Sequence, residues 1–116
     1  MKVIVAGGRD FDNYELLKEK LDFYFKDITP VIVCGEAKGA DLLGRRYAEE
    51  KGLDILSYPA EWEKYGKSAG FRRNEQMAAN ATALVAFWDG KSKGTKHMID
   101  TMKRLNKPIR IVYYSI

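Results

Sequence analysis

Apolar and polar positions along this chain switch back and forth between two periods. "KVIVA" (residues 2–6) is a short continuous apolar run, the pattern of a strand buried on both faces of a parallel sheet. Asp12 and Glu15 then stand at capping-box spacing, and Leu17, Leu21, Tyr24 and Phe25 fall at helical spacing. "PVIVCG" predicts a second strand, "GADLLGRRYAEEKG" a second helix stopped by Gly52, and "LDILSYP" a third strand closed by Pro59. A longer aromatic and polar connection, "AEWEKYGKSAG", leads into a third helix over "FRRNEQMAAN". "ALVAFW" predicts the fourth strand. Thr95, Met98, Ile99, Met102 and Leu105 form the inner stripe of a fourth helix that ends near Asn106 and Pro108, and "IRIVYYS" is the last strand.

Strands that alternate with helices build a parallel sheet covered on both faces, and right-handed crossovers restrict its topology. The expectation is an α/β three-layer sandwich: a five-stranded parallel sheet, order 3-2-1-4-5, with helices on both faces. Such sheets bind ligands beyond the carboxyl ends of the strands, where the order reverses, here between strands 1 and 4.

Three glycine-rich loops fall at that edge. They are Gly7-Gly8-Arg9-Asp10 after strand 1, Gly35 to Asp41 (with Lys38 and Gly39) after strand 2, and Trp88 to Thr95 (with Asp89, Gly90, Ser92 and Gly94) after strand 4. Glycine lets a backbone approach a ligand closely. The last two loops run straight into helices, whose N-termini offer free N–H groups and positive dipole ends. Lys38, Lys91 and Lys93 add charge nearby. One such loop alone is an ordinary tight turn; three converging on the switch point predict a phosphate site.

Composition narrows this only a little. The chain has 116 residues, 46% hydrophobic, which predicts one domain spanning residues 1–116. No apolar run approaches the roughly 18–20 residues of a membrane span. "MKVIVAGG" turns polar too early for a signal peptide, and Cys34 is a lone cysteine, so the expected setting is cytoplasmic. The net charge of +4 fits an anionic ligand without requiring one. Acids are interspersed among the basic residues and no basic stripe stands out, which ranks a DNA-binding accessory role last.

Familiar phosphate motifs do not fit. "GKS" occurs at Gly66–Ser68 and Gly90–Ser92, but a P-loop needs a glycine five positions earlier, where Glu61 and Val85 stand. The dinucleotide pattern G-x-G-x-x-G is missing after strand 1.

"VAGGRDF", "GEAKGAD", "YPAEWEKYGKSAGFRRNEQM" and "WDGKSKGT" together resemble the YspA-type family of the SLOG superfamily, in the family's order and across nearly the whole chain. The superfamily includes the Lonely Guy phosphoribohydrolases and DNA-processing protein A. The resemblance implies a Rossmann-like fold that binds a nucleotide or nucleotide-derived ligand at the glycine-rich loops, as a sensor or processing domain. "RNEQM" is similar to the Arg-Lys-x-x-Met stretch of the phosphoribohydrolases, with Asn74 in place of the Lys. "GKSKGT" is similar to their Pro-Gly-Gly-x-Gly-Thr loop, with Gly94 and Thr95 at the helix start. Their catalytic Glu would fall at Met98, so hydrolysis of an N-glycosidic bond by that route is in doubt.

The expected ligand-binding set is therefore Gly7, Gly8, Arg9, Asp10, Gly35, Lys38, Gly39, Asp41, Arg73, Asn74, Asp89, Gly90, Ser92, Gly94 and Thr95. Asp41 serves equally well as a partner of its helix dipole. Arg72 and Arg73 point to different sides of a helix, and the resemblance selects Arg73 for phosphate. If the protein is an enzyme, it is an N-glycosidic or phosphate-ester hydrolase acting on a nucleotide, with Asp10 and Glu75 as candidate acid and base. Trp62, Tyr65 and Phe71 divide evenly between stacking on a base and forming a small local core, and Trp88 favours the core. His97 is expected on an exposed or flanking helix face. No metal cluster is predicted, although Mg²⁺ brought with a ligand phosphate to Asp10 or Asp89 fits the residue types. A homodimer is expected by base rate and family analogy, with "IVYYSI" as a sheet edge or interface.

Overall fold

The computed structural model describes residues 1–115. Strand β1 (Lys2–Gly7) is followed by α1 (Tyr14–Tyr24), β2 (Val31–Cys34), α2 (Ala40–Lys51) and β3 (Ile55–Ser57). A short helix α3 (Trp62–Tyr65) and a 3₁₀ turn (Gly66–Ser68) lead into α4 (Ala69–Asn80), then β4 (Ala83–Trp88), α5 (Lys93–Arg104) and β5 (Ile109–Tyr113). The sheet runs β3-β2-β1-β4-β5 with every pairing parallel, the order expected from the alternation.

Successive strand side chains point to opposite faces, and β1 uses both. Val3 and Val5 enter a core with Leu17 and Leu21 of α1 and Tyr47 and Ala48 of α2. Ile4 and Ala6 enter a second core with Met77 and Ala78 of α4 and Met98, Ile99 and Met102 of α5. The two-sided burial explains why β1 reads as an unbroken apolar run. It also makes the molecule three layers deep, the Rossmann-like architecture.

Three local expectations shift. The cap of α1 is Asn13, whose side chain accepts from Leu16 N–H at 3.0 Å, so the capping box at Asp12 is displaced by one residue. Leu105 lies just past the end of α5 and is exposed, outside the buried stripe. The connection after β3 carries its own helical turns, which hold it against the start of α4. Of "IVYYSI", β5 takes the edge of the sheet and Ile116 lies outside the described residues.

The candidate functional site

The β1 loop, the start of α2, the α3–α4 segment and the start of α5 enclose a cavity of about 500 Å³ at the carboxyl edge of the sheet. That volume falls within the usual range for small-ligand sites. Of the expected set, Gly7, Gly8, Arg9, Asp10, Asp41, Arg73, Asn74, Asp89, Ser92, Gly94 and Thr95 line it. Gly35 and Lys38 line a shallower neighbouring hollow that shares Arg9, Ala37, Trp62 and Arg73 with the first. Gly39, Gly90 and Glu75 line neither. Glu75 is largely exposed, with Oε1 3.8 Å from His97 Nε2.

Much of the room left by the loop glycines is used by the chain itself. A Cβ on Gly7 would overlap the Phe87 carbonyl and crowd the Ala40 methyl, and a Cβ on Gly8 would overlap the Tyr114 hydroxyl. Tyr114 Oη donates to Asp10 Oδ1 at 2.8 Å, which ties the first loop to the end of the chain. Burial, then the bond to Asp10, pushes the Tyr114 hydroxyl well above the usual phenol range. Asp10 is therefore already partnered. Gly94 behaves differently: it lines the cavity, and no other part of the chain comes within 4 Å of where its Cβ would stand.

The loop after β4 is shaped by Asp89, whose Oδ1 accepts from the N–H groups of Lys91 and Ser92, each at 2.8 Å. Those two bonds hold the Asp89 carboxyl below the usual carboxylate range. Ser92 caps α5, its Oγ accepting from Thr95 N–H at 3.5 Å. The first-turn N–H groups of α5, at Lys93 and Gly94, have no intrahelical acceptor, as at any helix start. Trp88 sits behind this loop and donates from Nε1 to the Ser92 carbonyl at 3.1 Å.

Asn74 joins α4 to α5. Its Nδ2 donates to the Gly94 carbonyl at 3.2 Å and lies 3.3 Å from His97 Nδ1, while its Oδ1 accepts from Arg73 Nε at 3.0 Å. His97 thus occupies a flanking, half-buried position, and burial holds its pKa below the usual histidine value. Arg73 Nη1 donates to the Gly35 carbonyl, so the guanidinium spans from α4 to the loop after β2. Arg72 points the other way, its guanidinium 4.5 Å from the Tyr65 ring centre.

Asp41 is the buried carboxyl of the wall. Burial pushes its pKa up to about 7, against the opposing charge of Arg73 and a backbone bond from Ala37 N–H. A group poised near neutrality beside an arginine in a cleft is where acid–base chemistry is expected, and sequence spacing alone had assigned it only to the helix dipole or the ligand.

Met98, at the position where the phosphoribohydrolase resemblance calls for a glutamate, is a buried apolar side chain of the wall. The cationic groups of the wall are Arg9, Lys67 and Arg73. Lys67, Trp62, Gly70 and Phe71 were outside the expected set. Their one sequence signal was the aromatic density of "AEWEKYGKSAGF". Among the described residues no group of three or more His, Cys, Asp or Glu gathers at metal-binding distance. No helix among the described residues is long and apolar enough to cross a membrane.

Three comparisons bear on this geometry. A family model described as the YspA, cpYpsA-related SLOG family matches residues 1–65. The Gene 61 protein of Mycobacterium phage D29 is 35% identical over 116 aligned positions, covering 93% of this chain and 93% of that protein. Among solved structures, DNA processing protein A (DprA) of Streptococcus pneumoniae superposes on 99% of this chain with a TM-score of 0.79 at 17% identity. The chain spans about half of that protein, 51% of its length, and the likeness is one of fold.

Proposed function

Because the chain belongs to the YspA, cpYpsA-related SLOG family, we propose that its cavity binds a nucleotide or nucleotide-derived phosphate ligand. The observation that carries this reading is the meeting of loops after β1 and β4 with Arg73 and Asn74 of α4 around one cavity of about 500 Å³. The phosphate end is the open start of α5, where Gly94 leaves room and the first-turn N–H groups point outward. Arg73 suits an anion because its planar fork presents paired donors. Family membership and the fold shared with DNA processing protein A support a nucleotide- or DNA-related role. The wall favours the small ligand over a strand, since Asp10 and Asp89 stand among its cations. Met98 supplies no acid where the phosphoribohydrolase glutamate would stand, and no cleavage step is assigned to this cavity.

Thermal unfolding against a panel of nucleotides and sugar phosphates tests the reading. A ligand at one hundred times its Kd stabilises the folded state by about 2.7 kcal/mol, a rise in Tm of roughly 10 °C for a domain of this size. At least one nucleotide is expected to give such a shift. A flat response to every nucleotide and to ribose 5-phosphate overturns the proposal.

A further inference from the structure

Two large apolar side chains stay exposed on the wall of this cavity: Trp62 at 52% and Phe71 at 47%. A single exposed aromatic needs no explanation. These two border the same cavity. The tip of the Trp62 indole lies 3.5 Å from where a Cβ on Gly70 would stand, so the ring rests on the Gly70 backbone, one residue from Phe71. The Phe71 ring is supported by His97, their ring centres 4.5 Å apart, and Asn74 lies 3.3 Å from that imidazole. The Phe71 face is thus held by a network whose other members, Arg73 and the Gly94 carbonyl, belong to the same cavity wall.

We propose that Trp62 and Phe71 form a stacking platform for a nucleobase, which makes the ligand a nucleotide with an aromatic base and not a bare sugar phosphate. This rests on the reading that the cavity takes a phosphate at the α5 start, and it adds the surface on which the base lies. Stacking is tolerant of base identity, because every base has a π face. The platform therefore recognises the class "nucleotide" and leaves discrimination among bases to other contacts. A free nucleotide is the occupant and not a polynucleotide strand: Asp89, held ionised by its two backbone N–H donors, and Asp10 would face the extra phosphates of a strand.

Calorimetric titration of AMP, GMP, CMP, UMP and ribose 5-phosphate into the wild type, Trp62→Ala, Phe71→Ala and Trp62→Phe tests this. All four mononucleotides are expected to bind the wild type at least about 5-fold more tightly than ribose 5-phosphate. Each alanine variant is expected to lose about 5- to 100-fold in mononucleotide affinity, while for Trp62→Ala, which lies outside the Asn74 network, ribose 5-phosphate affinity stays within about 2-fold. Trp62→Phe recovers most of the loss. Both positions are exposed, so the variants fold, and unchanged Tm values without ligand verify it. If ribose 5-phosphate binds as tightly as the mononucleotides, the platform is wrong and the phosphate reading stands. If none of the five binds, the phosphate reading falls and takes the platform with it. An eight-nucleotide single strand that binds more tightly than every mononucleotide also overturns the platform as a free-nucleotide site.

Discussion

Gly39→Ala is expected to destabilise the protein by roughly 3–5 kcal/mol, much of the 5–15 kcal/mol that holds a typical domain folded. Gly39 caps α2 at φ 79 and ψ −129, a conformation costing a residue with a side chain about 1–3 kcal/mol. Its Cβ would also overlap the Gly8 carbonyl and come within 2.7 Å of the Arg9 carbonyl carbon. Those are backbone atoms, and relieving them moves the β1 loop, at a further cost of about 1–3 kcal/mol. Ala40 N–H donates to the same Gly8 carbonyl at 3.2 Å, so that bond is strained as well. Urea unfolding is expected to give a much lower midpoint with an unchanged m-value. Gly90→Ala is the comparison: φ there is 84 but nothing lies within 4 Å of the new Cβ, so only the backbone cost remains. Equal losses at the two positions would show that the close contact with the β1 loop carries no weight.

Asp41 gives the second large effect, and its sign follows from proton linkage. Burial raises the folded-state pKa from 3.8 to about 7, so between those values the folded protein keeps a proton that the unfolded chain has released. Stability associated with this group is fully present below about pH 4 and is lost as the pH rises through about 7. The loss is roughly 4 kcal/mol at most. Asp41→Asn keeps an acceptor for the Ala37 N–H and cannot ionise. Its stability relative to wild type is therefore expected to improve by up to about 4 kcal/mol from pH 4 to pH 8, with the change falling between pH 4 and pH 7. Guanidinium unfolding of both proteins at several pH values measures it. A constant difference across that range would mean that Asp41 is not held near neutrality.

The fold was legible because each strand and helix announces itself locally. β1 is apolar at every position since it buries both faces, and the Met98–Met102 stripe repeats at the helical period. Boundaries were less legible for a local reason: Asn13 and Asp12 are both good caps, and only the backbone geometry decides between them. The wall of the candidate cavity was legible where a loop runs from strand to helix, as at Ser92, Gly94 and Thr95, because the topology fixes that edge. It was hidden where partners are distant in sequence. Tyr114 closes on Asp10 across 104 positions, and nothing near either residue signals the pairing. The glycines at 7, 8 and 39 read as space for a ligand, yet the Phe87 carbonyl, Tyr114 and the β1 loop occupy most of that space. Glu75 shares a helix with Arg73 and Asn74, but two residues are enough to rotate it away from the cavity.

A crystal structure with the mononucleotide that gives the largest thermal shift decides whether one nucleotide reaches from the start of α5 to Trp62. Phosphate oxygens are expected within about 3.2 Å of first-turn N–H groups of α5, with Arg73 turned toward them and the base lying on Trp62. A nucleotide bound elsewhere on the surface, with the cavity beyond the carboxyl ends of β1 and β4 holding only solvent, overturns the proposal.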